Sequence, residues 1–306
     1  MMTEPKPTHY SAGDPLWIRV LEYPLIALVL ATVLAVTTYA SAYFLLSYNP
    51  PMSGAMTAIS ETIMVVALLW VVYKLVIRHF GDKPHDDLPL AGAVMLTAQG
   101  AALGTVMMGL IVGVAALTGA YAIVGPGDTR QFVLTLLLFA ILPACWEELL
   151  FRGIFFRWLE EFGGSWFALG ATSLLFGFAH QLNPNATLMS SVFMAASGGI
   201  LLGASYMATR SLWLPIGLHA AWNFVQGEVF DVPVSGVDTA GLVESQSSGP
   251  EWLSGGYFGL EASVISLVVC LAVSAWLLRR ASQRGLVFGP IWSRDSALTF
   301  EPQRKL

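Results

Sequence analysis

The sequence predicts an all-α, polytopic transmembrane bundle of about eight spans. Three observations predict it. The 306 residues are 56% hydrophobic and 11% charged, with a mean hydropathy of +0.66, whereas a soluble globular domain carries about 25% charged residues. Apolar windows of about 20 residues follow one another along the chain. Lys and Arg collect in alternate connections, as they do when every second loop faces the cytoplasm.

The spans read, in order, 24–47, 55–77, 91–123, 131–158, 165–181, 186–208, 211–227 and 258–278. The third is long and rich in Gly and Ala, so a tilt or a break is expected in it. The fifth and seventh are short for a full crossing, as helices that stop beside a polar cavity are. With both termini in the cytoplasm, that side collects Lys6, Arg19, Lys74, Arg78, Lys83, Arg157, Arg210, Arg279, Arg280, Arg284, Arg294, Arg304 and Lys305. The outer side receives Arg130, and Arg152 is buried in the fourth span. The expected location is therefore the plasma membrane, multi-pass, with both termini cytoplasmic.

The organisation follows from these spans: a cytoplasmic tail 1–23, N-terminal membrane helices 24–124, a polar-site core 125–227, an outer loop 228–257, a last membrane helix 258–278 and a cytoplasmic tail 279–306. The outer loop holds Glu228, Asp231, Asp238, Glu244 and Glu251 without Lys or Arg and reads as a loose, solvated connector. The first apolar run is too long and starts too late for a cleavable signal, so it is an anchor. The net charge of −5 leaves no basic patch for nucleic acid. Cys145 and Cys270 lie in apolar spans outside any CxxC, which excludes a disulfide framework.

The fourth span carries Glu147, Glu148 and Arg152. A charge at mid-bilayer costs about 2.5–3.5 kcal/mol on insertion scales, so a helix that only crossed would avoid three of them. Glu148 and Arg152 are four apart and share a face, where they can pair. Glu147 points about 100° away, with no cation at helical spacing. A carboxylate kept from water without a cation suits general acid or base chemistry near neutral pH. Pro143 cannot donate to the carbonyl of Phe139, so a kink is expected just before the acidic pair.

Two further polar elements follow. His180 ends the fifth span after Phe176-Gly177-Phe178-Ala179. His219 and Asn223, four apart, share one face of the seventh. Counted at about 1.5 Å per residue, Glu147 and His180 lie roughly 17–22 Å from the cytoplasmic ends of their spans, and His219 and Asn223 roughly 12–18 Å. One carboxylate, two imidazoles and an amide at one level can activate water at Glu147 with His180, and can donate to a developing oxyanion from His219 and Asn223. Glu147, His180 and His219 are equally candidate ligands for a divalent metal such as Zn2+.

At these residues the chain resembles the CPBP family of CAAX-processing and bacteriocin-processing intramembrane proteases, of the Rce1 type. The family pattern EExxxR, FxxxH, HxxxN reads here as Glu147-Glu148 with Arg152, Phe176 with His180, and His219 with Asn223. The resemblance implies an Rce1-like protease core over 125–227. It implies catalysis by Glu147 with His180, an oxyanion held by His219 and Asn223, and support from Glu148 and Arg152. It also implies a membrane-associated protein or peptide as substrate and either a glutamate or a metalloprotease mechanism; the shared depth of Glu147, His180, His219 and Asn223 gives the expectation of cleavage from the cytoplasmic half.

Rival chemistries leave weaker traces. HExxH is absent. A Ser/His dyad would need Ser197 in Ala195-Ala196-Ser197-Gly198, which lacks the first Gly of GxSG. Gly125-Pro126-Gly127-Asp128 matches an aspartyl-protease motif in letters but falls in an outer turn. From other classes, a transporter would use the midplane groups, and Glu61 of the second span, as an ion path. A non-proteolytic scaffold or immunity protein would keep the bundle alone.

Overall fold

The computed structural model describes residues 15–47, 54–81 and 86–293. Lys6, His9, Lys83, His85, Arg294, Arg304 and Lys305 lie outside the described residues. All eight expected spans are helical. After a short helix at Leu16–Glu22 come α1 (Pro24–Ser47), α2 (Gly54–Leu75), α3 (Ala93–Leu117), α4 (Phe132–Gly163), α5 (Ser165–Ala179), α6 (Leu188–Thr209), α7 (Trp213–Phe224) and α8 (Val264–Gln283). Six of them are long and apolar enough to cross a membrane. The two that are not are α5 and α7, the spans that read as short. Large apolar side chains such as Val33, Ile63, Val94, Val106 and Val268 face outward. In water that surface would be an aggregation liability, and against lipid it costs nothing. This is a multi-pass membrane protein.

The all-α class holds, and within it the end of the third span needs a correction. β1 (Tyr121–Pro126) pairs antiparallel with β2 (Val243–Ser247). α3 stays unbroken and stops at Leu117, so the end of the expected third span is strand instead. Hydrophobicity alone could not separate the two, because a short run such as Tyr121-Ala122-Ile123-Val124 suits either element.

The outer loop is not a loose connector. Val232 and Val234 are buried, and Val234 pairs with Val237 across Ser235 and Gly236, whose φ values are 49° and 84°. Two residues of positive φ make the tight turn that matches strand twist. A Cβ on Gly236 would meet the Pro184 carbonyl oxygen at 1.8 Å. Asn183 Nδ2 donates to Ser235 O and Asn185 Nδ2 to Gly236 O, both at 3.1 Å. The acidic side chains made the segment look solvated, but its small and β-branched residues do the packing. Part of the C-terminal tail is docked as well: Ser165 N donates to Phe288 O and Phe288 N to Ser165 Oγ.

α4 runs continuously past Pro143, with wide i→i+5 turns at Thr135–Ile141 and Leu149–Phe156. Such turns recur where a helix is bent to serve a site. α3 and α7 touch backbone to backbone. A Cβ on Gly100 would sit 2.1 Å from Leu214 O, and one on Gly217 2.1 Å from Thr97 O. That approach seats the helix carrying His219. Gly217→Ala is expected to lower stability by about 1–3 kcal/mol through overpacking, read as a lowered thermal midpoint in detergent. A midpoint equal to wild type would count against this contact.

Candidate active site

Glu148 and Arg152 are fully buried, and Arg152 Nη1 reaches Glu148 Oε1 and Oε2 at 2.9 and 3.0 Å. The expected i, i+4 pair is therefore formed. Arg152 Nη2 also donates to Gly199 O at 3.0 Å, which ties α4 to α6. α6 can come this close because Gly199 has no side chain: a Cβ there would lie 2.8 Å from Ser173 Cα of α5. The Arg152 guanidinium lies 4.7 Å from the ring centre of Phe176, which itself packs on both imidazoles, at 4.6 Å from His180 and 6.1 Å from His219. Phe176 thus fixes three polar groups by contact with one ring.

Each imidazole is oriented by a second partner. His219 Nδ1 lies 2.8 Å from Glu148 Oε1, and His180 Nδ1 lies 2.7 Å from Phe176 O. A carboxylate and a carbonyl only accept, so Nδ1 carries the hydrogen in both rings, and Nε2 is left for other work. Both Nε2 atoms face one atom, Glu147 Oε2, at 3.8 Å from His180 and 3.9 Å from His219. These separations are too long for direct hydrogen bonds. That oxygen is buried and, among the described residues, has no hydrogen-bond partner. Glu147, His180 and His219 therefore converge on a point that a small third party would satisfy.

Asn223 joins them by a route the sequence only half suggested. Its Nδ2 donates to Phe139 O at 3.0 Å. That is the carbonyl to which Pro143, lacking an N–H, cannot donate. The second amide hydrogen remains for a ligand. His180, His219 and Asn223 line one cavity with Phe176, Trp222, Ser235 and Glu261. Its free volume for a water-sized sphere is about 30 Å³, room for one or two waters.

Ser235 and Glu261 were missed in the sequence. They lie at 12 or more positions beyond Asn223 in segments read as outer loop and span start, and only the folded roof brings them in. Glu261 is buried, accepts from Ser235 N and takes a second donor from the Trp222 indole. Ser197 also lines the cavity, but its hydroxyl donates to Phe193 O of its own helix. Tyr39, stacked on Trp146 at 4.6 Å, lies within electrostatic reach of both Glu147 and Glu61.

As metal ligands, Glu147, His180 and His219 have the right donor types, and each imidazole has the second hydrogen-bond partner that ligating histidines use. Their spacing of 3.8–3.9 Å is wider than the roughly 3.4 Å between ligands of tetrahedral zinc. Among the described residues, no group of three or more His, Cys, Asp and Glu side chains is arranged to hold a metal ion.

Fold and site together define a polytopic helical membrane protein with a Glu–His–His–Asn centre whose imidazoles and amide are buried. Residues 129–225 match the family model Rce1-like, described as type II CAAX prenyl endopeptidase Rce1-like. The chain thus carries an Rce1-like domain, over the stretch that holds every residue of that centre. Comparison with curated proteins and with solved structures gave no match.

Proposed function

We propose that the protein is an intramembrane endopeptidase that hydrolyses a peptide bond of a membrane-associated protein or peptide. The observation that carries this reading is the orphaned Glu147 Oε2, faced by two imidazole Nε2 atoms at 3.8 and 3.9 Å. A water between them reaches all three. His180 Nε2 accepts one of its hydrogens, and Glu147 Oε2 accepts the other and then the proton. The hydroxide oxygen bonds to the peptide carbonyl carbon, and negative charge moves to the carbonyl oxygen. Asn223 stabilises it through its second amide hydrogen. His219 does so through Nε2 in its doubly protonated form, with Glu148 on Nδ1 as counter-charge. The amine nitrogen then takes the proton held by Glu147, the C–N bond breaks, and a carboxylic acid and an amine leave, the acid passing its proton to the amine or to water. Where a divalent metal is bound, Glu147, His180 and His219 would hold it, and it would polarise the carbonyl or acidify the water.

The test is incubation of the purified protein with membrane-anchored peptides in 18O-labelled water, with products read by mass spectrometry. Hydrolysis puts label into the new carboxyl terminus. A transporter or scaffold would yield no new termini. Asn223→Ala is expected to lower kcat by about 10²–10³, the cost of one oxyanion donor, with KM little changed. A KM effect alone would remove Asn223 from the transition state.

A further inference from the structure

The bundle has two chemically different ends. At one, cations sit in a network of contacts. Lys74 pairs with Asp86 at 2.6 Å, Arg157 lies 3.8 Å from Asp87, and Arg210 pairs with Glu160 at 2.5 Å. Arg157 donates to Arg78 O, and Arg284 Nη1 to Ala208 O. At the other end lie β1, β2, the Asn183–Asn185 turn and the acidic segment, held together by Gly127 N to Leu242 O and Ser248 N to Ala120 O. Arg130 is the cation there, and it is paired with Asp128. A membrane protein keeps its Lys- and Arg-rich end in the cytoplasm, because basic segments resist translocation. The acidic end then faces outward.

The catalytic cavity belongs to that acidic end. Its walls outside the membrane helices are Ser235 and Glu261, both from the segment that follows α7. None of Lys74, Arg78, Arg157, Arg210 or Arg284 lines it. His180 is the last turn of α5 on the same side, directly before the Asn183 turn that grips Ser235. Polar groups of the cavity wall therefore lead from the centre toward the acidic end.

From this, resting on the hydrolase reading above, we infer that the cavity is served from the non-cytoplasmic face, and that its substrates are exported or membrane-anchored peptide segments presented at the outer leaflet. This revises the expectation of cleavage from the cytoplasmic half.

The experiment uses single cysteines in the full chain with Cys145 and Cys270 replaced by Ala. Asp238→Cys reports the acidic end, Ser282→Cys the basic end, and His180→Cys and Asn223→Cys the cavity. Right-side-out and inverted membrane vesicles are treated with a small, permanently cationic methanethiosulfonate. Asp238→Cys and at least one cavity cysteine should react at least about tenfold faster in right-side-out vesicles, since a fixed cation does not cross the hydrocarbon. Ser282→Cys should react faster in inverted ones. A cavity cysteine that reacts faster in inverted vesicles overturns the inference, as does failure of both cavity cysteines to react from outside. The readout needs no turnover. If the labelling comes out as expected while Glu147→Gln cleaves like wild type, the hydrolase reading fails alone.

Discussion

Glu147→Gln should reduce peptide cleavage by about 10²–10⁴, the contribution of a positioned general base, while the protein stays folded. The amide keeps the shape and removes the basicity. Oε2 makes no hydrogen bond within the described residues, so the substitution breaks no contact that holds α4 in place. The loss should therefore appear in kcat, with the detergent melting curve of wild type. Glu147→Asp moves the carboxylate away from a point already 3.8–3.9 Å from both rings and should recover only part of the rate. Wild-type turnover by Glu147→Gln, measured with the same peptide, would remove Glu147 from the chemistry.

The second large effect concerns stability. Arg152→Met leaves the fully buried Glu148 without its cation, and breaking such a pair costs about 3–5 kcal/mol. The double variant Glu148→Leu/Arg152→Met removes both charges and should regain most of that loss, since an apolar pair needs no compensation in the interior. It should not regain activity. Glu148 Oε1 holds His219 Nδ1 at 2.8 Å, and without it the ring loses the partner that turns Nε2 toward Glu147. Thermal unfolding and peptide turnover on the four members of the cycle separate the two roles. Equal stability of Arg152→Met and wild type would show that the pair is not a strut. An active double variant would show that His219 is oriented by something else.

The same pair explains why the acidic dyad is legible as two different residues. Adjacent positions on a helix diverge by about 100°, so one carboxylate meets Arg152 and the other faces the two imidazoles. Spacing alone divides the labour. The family match over residues 129–225 agrees with that division in extent, since it begins before α4 and ends just past Asn223.

The sequence by itself determined the multi-pass helical class, the eight helical segments, the shortness of α5 and α7, and the residues that meet at the centre. These are carried by local signals. Apolar length, the expense of burying charge and i, i+4 spacing act within one helix, and each can be read without knowing its neighbours. Tertiary structure alone decided what those residues touch. The hydrogen on Nδ1 of His219, the pairing of Asn223 with Phe139 O, and the contacts of Phe176 with Arg152 and His219 are distances between helices. So is the roof. The segment that carries Ser235 has no periodicity to announce it, and Asn183, Asn185 and Glu261 accept from or donate to its backbone from other parts of the chain. Hydrogen bonds between segments far apart in the chain leave no pattern in either segment, and that is the physical reason the wall of the site had to be seen rather than read.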